Sequence, residues 1–112
     1  MAVHLSSPSP SASSPSPSSQ ALADDLKARG NECIRDGRPH DAIKWYTLAM
    51  MHATSLTLLH GNRSTALHHL RQYKLALLDA LASTQSDPQW FKGYLLKGKA
   101  LHSLQRVQSR SD

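Results

Sequence analysis

Several residue types in this 112-residue sequence could support catalysis or metal binding, but their spacing assembles no site. The seven histidines include His60 and His68, which are two helical turns apart with no Cys or acidic residue joining them. The single cysteine, Cys33, falls at an apolar position and is expected to be a buried thiol rather than a nucleophile. Asp24 and Asp25 are the only adjacent carboxylates, and they suit the positive end of a first helix. We therefore expect no enzymatic activity, no metal site and no cofactor.

Charge and composition restrict the partner and the location. Thirteen Lys and Arg residues against eight Asp and Glu give a formal net charge of +5, and from Pro88 onward the only acid is Asp112. A basic end of this kind indicates an acidic partner, which could be a peptide, a nucleic acid or a membrane surface. One cysteine fits a reducing compartment, and no apolar run approaches the ~20 residues of a membrane span. We expect a cytoplasmic protein that does not enter a membrane.

Both ends of the chain are predicted to be tails. Residues 6–19 are Ser or Pro at every position except Ala12. Such a segment cannot bury enough apolar surface to offset its conformational entropy, so residues 1–20 are expected to be a disordered tail. A short C-terminal tail is expected over residues 107–112.

Between the tails, apolar residues recur every three or four positions, which predicts helices rather than strands. The first helix should end near Gly37, because glycine readily takes the left-handed conformation that ends a helix. Pro39 fits the first turn of the second helix, where its missing N–H costs nothing. A third and a fourth helix are predicted over about 55–70 and 73–86, and a fifth begins at Pro88. The sequence therefore predicts an all-α fold with antiparallel neighbours.

The helical pattern repeats every 34 residues. Three sets of residues stand in register at this spacing: Gly30, Ser64 and Gly98; Cys33, Leu67 and Leu101; and Leu26, His60 and Tyr94. Small residues mostly align with small ones and mark close helix crossings, whereas bulky ones fill the space between. A 34-residue helix–turn–helix unit is the period of tetratricopeptide repeats. We predict a domain over residues 21–106, with repeats at about 23–56 and 57–90 and an incomplete one at 91–106.

Five segments resemble tetratricopeptide repeats of the co-chaperone type: LKARGN from Leu26, DAIKWYTLAM from Asp41, GNRSTAL from Gly61, QYKLALLDA from Gln72 and DPQWFKGYLLKGKAL from Asp87. The resemblance covers nearly all of the predicted domain. The departures from the family's repeat pattern include His60 in place of a large apolar residue, Arg71 in place of a turn glycine and Thr54 in place of a proline. The second repeat is therefore the least regular.

The resemblance implies a groove that binds the C-terminal carboxylates of an extended acidic peptide, typically the Glu-Glu-Val-Asp ending of heat-shock chaperones. Matched residue by residue, it assigns peptide binding to Lys27, Asn31, Asn62 and Lys92. Lys27 and Asn31 are four residues apart and project from one helix face, where they can supply charge and amide donors. Leu96 stands where the family has an arginine. The loss of a charged donor costs about 1.5–3 kcal/mol, so we expect a weakened or retuned clamp.

Two other functions remain open from the sequence. A scaffold with a disabled clamp could bind an internal segment of a partner instead of its C-terminus. The basic fifth helix could also associate with RNA, but it lacks interleaved aromatic residues beyond Trp90, Phe91 and Tyr94, which the repeat needs for packing.

The third repeat lacks its second helix, and the chain looks like an isoform or a fragment of a longer protein. Tyr94, Leu95, Leu101 and Leu104 are spaced so that two should face the fourth helix and the others should lack cover. Exposed apolar area on an edge helix tends to recruit a partner or a second copy. We therefore predict that the chain is marginally stable, frays from Pro88 onward and self-associates through this helix.

Overall fold

The computed structural model describes residues 17–111, which form five α-helices joined by short turns. The helices are α1 (Pro17–Arg35), α2 (Pro39–Met50), α3 (Thr57–His69), α4 (Tyr73–Ser86) and α5 (Phe91–Ser111). Each helix packs against the next, and α3 also contacts α1 and α5. The described part of the chain contains no strand. The predicted all-α helix–turn–helix solenoid is confirmed.

The boundary of the N-terminal tail was predicted too far along the chain. Helix α1 begins at Pro17, and the rest of the predicted tail, residues 1–16, lies outside the described residues. Proline is tolerated at this end because the first turn of a helix has no use for its N–H. Gln20 also has a tertiary role: its Oε1 accepts hydrogen bonds from the backbone N–H of Thr54 (2.8 Å) and from the Thr54 hydroxyl (2.7 Å). Residues 17–20 therefore belong to the folded domain.

Both ends of α5 also differ from expectation. The helix begins at Phe91 rather than Pro88, after a turn in which Asp87 Oδ1 accepts a hydrogen bond from the N–H of Gln89. At its other end it continues through Ser111, so the expected tail at 107–112 is helical over its described residues.

The two helix–turn–helix units end their first helices in the same way. After α1, the N–H of Arg38 donates to the Cys33 carbonyl (2.8 Å) and Gly37 has φ +74°. After α3, the N–H of Gln72 donates to the Leu67 carbonyl (2.9 Å) and Arg71 has φ +61°. Both are Schellman motifs, which require a left-handed residue. The prediction that Arg71 occupies a glycine position is confirmed.

The core of the first unit is built on a close crossing of α1 and α2. A Cβ atom placed on Gly30 would lie 2.5 Å from Cε1 of Tyr46, so only glycine allows the tyrosine ring to lie there. Tyr46 is 1% exposed and packs with Cys33, Ala42 and Ala49. Cys33 is a buried free thiol, as predicted. The repeated small residue at position 30 therefore marks a helix crossing, as the sequence suggested.

A buried carboxylate in the second unit holds an arginine that also contacts the first unit. Asp79 on α4 is 4% exposed, and its two oxygens accept hydrogen bonds from Nε (2.7 Å) and Nη2 (2.8 Å) of Arg63 on α3. The Nη1 of Arg63 reaches Thr47 of α2 (3.1 Å). His60 Nδ1 lies 2.8 Å from Asp79 Oδ1, so an acid that the sequence did not indicate contacts His60, whereas His68 hydrogen-bonds with Ser103. The pairing of His60 with Asp79 explains why a histidine is accepted where the family has an apolar residue.

On α5 the predicted lack of cover is confirmed for three of the four apolar residues, and Leu104 is half-buried, but the residues buried against the domain are others. Leu96 and Ala100 are buried, whereas Tyr94, Leu95 and Leu101 are exposed. The apolar residues of α5 lie on both sides of the helix, so the spacing alone did not show which side packs inward.

Candidate peptide-binding groove

The first helices of the repeats, α1, α3 and α5, are neighbours in space and carry the four predicted site residues. Lys27 and Asn31 lie on α1, Asn62 lies on α3, and Lys92 lies in the first turn of α5. The three helices line up because α2 and α4 each return the chain in the opposite direction. The 34-residue repeat therefore places equivalent helix faces side by side.

The centre of the site is a hydrogen-bonded group of Tyr46, Asn31 and Asn62. The Tyr46 hydroxyl donates to Oδ1 of Asn31 over 2.6 Å, and Nδ2 of Asn62 donates to the same oxygen over 3.2 Å. With Oδ1 occupied by two donors, the Nδ2 of Asn31 is the end of the amide that can donate to a ligand. Asn62 keeps a second N–H on its own amide nitrogen. The group therefore presents donors and suits an anionic oxygen.

Burial keeps the central donor in its protonated form. Desolvation raises the pKa of Tyr46 to about 12, and the nearby Cys33 thiol adds to the effect. The Tyr46 hydroxyl therefore remains a hydrogen-bond donor throughout the physiological range. Its hydrogen bond and that of Asn62 together fix the orientation of the Asn31 amide.

The two lysines predicted for the site differ in exposure but share a lack of acidic partners. Lys27 is partly buried one helical turn before Asn31, and Lys92 is exposed on α5. Within residues 17–111, neither lysine forms an ion pair with a carboxylate; the described ion pairs use Arg29, Arg38, His60 and Arg63 instead. Their charges are therefore not neutralised by an internal acid.

Leu96 of α5 is packed into the domain near Gly61 of α3. It is 9% exposed. A Cβ atom on Gly61 would lie 3.5 Å from Leu96 Cδ1 and would overlap the indole ring of Trp90. The glycine thus lets Trp90 of the α4–α5 turn cover α3 next to Asn62. Where the family supplies a charged side chain, this chain supplies packing.

The structure brings together some predicted residues more directly than others. Asn31 and Asn62 are in contact, and Lys27 lies one turn from Asn31, whereas Lys92 lies on the separate helix α5. The hydrogen bond from Asn62 to Asn31 also joins α3 to α1, so Asn62 has a structural role as well.

Sequence reasoning placed Tyr46 in the core and missed its part in the site. The sequence signal that could have indicated this is Gly30, next to Asn31. A glycine at a helix crossing lets an aromatic ring of the other helix lie close to the residue that follows the glycine. Gly61, next to Asn62, is the same signal for Trp90.

Two further features bear on what the site can hold. Within the described residues, no three His, Cys, Asp or Glu side chains lie together as metal ligands. Over the same residues, no helix is both long and apolar enough to cross a membrane.

Comparisons with known proteins agree with this geometry. The chain is 37% identical over 79 residues to the Hsp70-Hsp90 organizing protein of Triticum aestivum, covering 70% of this chain and 14% of that protein. It is 36% identical over 83 residues to the heat shock protein sti1 homolog of Schizosaccharomyces pombe, covering 74% of this chain and 14% of that one. The chain thus spans only a small part of the length of these relatives. No family model matches it.

A solved structure shows the same arrangement of helices. The first tetratricopeptide domain of Spaghetti (RPAP3), bound to the HSP90 peptide SRMEEVD, superimposes with a TM-score of 0.74 at 27% identity. The match covers 80% of this chain and 73% of that one. The repeat, the five-helix solenoid and these similarities together identify the chain as a tetratricopeptide-repeat protein, similar in sequence to parts of these co-chaperone proteins.

Proposed function

We propose that this domain is an adaptor, not an enzyme, and that its groove binds the acidic C-terminal end of a partner protein. The observation that carries the proposal is the Tyr46–Asn31–Asn62 group, which fixes the Asn31 amide with its N–H donors available. Lys27 and Lys92, without internal acid partners, supply the complementary charge. A terminal carboxylate is the ligand that uses both kinds of group.

Heat-shock chaperones are the first candidate partners. Two relatives are named as a chaperone organizing protein and a heat shock protein homolog, and a solved domain of the same fold is bound to a peptide ending in Glu-Glu-Val-Asp. A co-chaperone-like role in the cytoplasm is part of the proposal, and the single free Cys33 is consistent with a reducing compartment.

The groove should bind such peptides more weakly than a domain with a fifth donor. Leu96 is packed against Gly61 and Trp90 and offers a ligand no hydrogen bond.

The test is calorimetric titration of a peptide ending in Glu-Glu-Val-Asp against the same peptide with an amidated C-terminus. We expect amidation to weaken binding at least about tenfold, because a hydrogen bond to a charged group contributes about 1.5–3 kcal/mol. Lys92→Ala should weaken binding of the free acid by a similar factor. Lys74→Ala, which removes an exposed lysine from α4, is the matched control and should have no effect.

Equal affinity for the acid and the amide would reject the carboxylate clamp. That result would favour the scaffold that binds an internal segment.

A further inference from the structure

The outer face of α5 is an apolar surface without a partner helix in the described chain. This face consists of Phe91, Tyr94, Leu95, Gly98 and Leu101. Phe91 is 72% exposed and Leu95 61%. A Cβ atom on Gly98 would have no neighbour within 4 Å. The opposite side of α5 already packs on the domain, so the helix is apolar on two sides. An apolar helix face that is left exposed to water is unusual.

The repeat shows what normally packs on such a face. Two repeats earlier, Gly30 takes the place of Gly98, and the ring of Tyr46 from α2 lies directly against it. Cys33, the counterpart of Leu101, is buried in the same cluster. The outer face of α5 therefore has the form of a surface that receives an antiparallel helix, with the glycine left open for an aromatic ring.

The charge of α5 indicates what kind of helix fits. Residues 91–111 contain no Asp or Glu and five cations: Lys92, Lys97, Lys99, Arg106 and Arg110. Lys99 and Arg106 are seven residues apart, so they lie on the same side of the helix, flanking the outer face. None of the five forms an ion pair within the described residues.

A second copy of α5 would fit this surface poorly. Two such helices face to face would place cations against cations with no acid on either side, and like charges across a helix pair oppose association. The charge therefore argues against the self-association expected from the apolar pattern alone. It favours an occupant of opposite charge.

We infer that the outer face of α5 is a docking site for an acidic amphipathic helix of another protein. The incoming helix places an aromatic side chain over Gly98, as Tyr46 lies over Gly30. Its acidic residues lie along the side that carries Lys99 and Arg106. This surface includes neither Asn31 nor Asn62 of the groove, although Lys92, seven residues before Lys99, lies on the same side of α5 as the two flanking cations.

The probe is a helix-stapled peptide built on α2. It keeps the residues that α2 turns toward α1 and the core (Ala42, Ile43, Tyr46, Ala49 and Met50) and carries Glu at its exposed positions. Added to the full, isotope-labelled chain, it should shift the amide signals of α5. A peptide with Lys in place of Glu should bind at least about tenfold more weakly, and replacing the aromatic residue by Ala should have a similar effect. Binding should also weaken at high salt.

Two sets of chain variants locate the site. Gly98→Leu fills the open position where nothing lies within 4 Å, so it should leave the helical signal and thermal midpoint intact and abolish peptide binding. The double variant Lys99→Glu, Arg106→Glu should no longer bind the Glu peptide and should bind the Lys peptide instead. Its matched control is Lys44→Glu, Lys74→Glu, which reverses two exposed lysines on α2 and α4 and should keep the order of preference.

Three results would overturn the inference. The first is equal binding of the Glu and Lys peptides. The second is unchanged binding by the double variant of α5. The third is a dimer of the chain alone, seen by sedimentation and dissociated by Gly98→Leu, which would make a second copy the occupant.

Discussion

Asn31 connects the hydrophobic core of the first repeat to the proposed binding surface. Its amide oxygen accepts a hydrogen bond from the hydroxyl of Tyr46, a side chain that is otherwise buried between α1 and α2. The orientation of an amide in the proposed groove is thus set by a core residue, and the position of that residue is set in turn by Gly30. Core packing therefore determines which way a side chain of the proposed binding surface points.

Leu96 is the residue at which the groove differs from its family, and Leu96→Arg should restore a donor. We expect this substitution to strengthen binding of a Glu-Glu-Val-Asp peptide by about 1.5 kcal/mol, roughly tenfold. The arginine stem can retain part of the contact with Gly61 and Trp90, but lost packing should lower the free energy of unfolding by about 1–2 kcal/mol. Calorimetric titration and urea unfolding measure the two effects.

The control for this substitution is Leu96→Gln, which disturbs the same packing without adding charge. It should lose stability and gain no affinity. A gain in affinity for the glutamine variant, or none for the arginine variant, would mean that position 96 does not face the bound peptide.

At the scale of the helices, the two Schellman motifs provide an internal comparison. The turn after α1 has glycine at its left-handed position, and the turn after α3 has Arg71. A left-handed conformation costs a residue with a Cβ about 1–2 kcal/mol, and glycine avoids this cost. Part of that advantage is offset, because glycine has more conformational freedom to lose when the chain folds. Arg71→Gly should therefore raise the free energy of unfolding by about 0.5–1 kcal/mol, measured by urea titration.

The reciprocal change, Gly37→Ala, places a Cβ in the equivalent turn and should destabilise the domain by about 1 kcal/mol. If Arg71→Gly were destabilising, the arginine side chain would have to contribute more to the folded state than its strain costs.

At the scale of the whole molecule, the repeat made most of the fold predictable. The 34-residue register and the glycine after α1 are local signals, so the helix count and the bounds of α4 could be predicted directly. The pairing of His60 with Asp79 could not, because it joins residues 19 positions apart on different helices. The start of α1 was misjudged because a Ser/Pro composition conceals the contact between Gln20 and Thr54. On α5, Tyr94, Leu95 and Leu96 are consecutive apolar residues, and spacing cannot tell which of them faces inward.

The candidate site was only partly predictable for a similar reason. The resemblance supplied Lys27, Asn31, Asn62 and Lys92 by position, but a position does not show how an amide is oriented. That orientation depends on Tyr46, fifteen residues beyond Asn31, and on the close crossing of α1 and α2. The donors of the groove thus emerge from tertiary packing rather than from a contiguous motif.

The central claim, that the Asn31 amide binds a terminal carboxylate, is tested most directly by a double-mutant cycle. The cycle combines Asn31→Ala with amidation of the Glu-Glu-Val-Asp peptide and measures all four affinities by calorimetry. Any general disturbance of the groove by the alanine lowers the affinity for both peptides equally, so it cancels in the difference between the two losses. The account predicts that Asn31→Ala weakens binding of the free acid by about 1.5 kcal/mol and binding of the amide by less than about 0.5 kcal/mol. An equal loss with both peptides would contradict it.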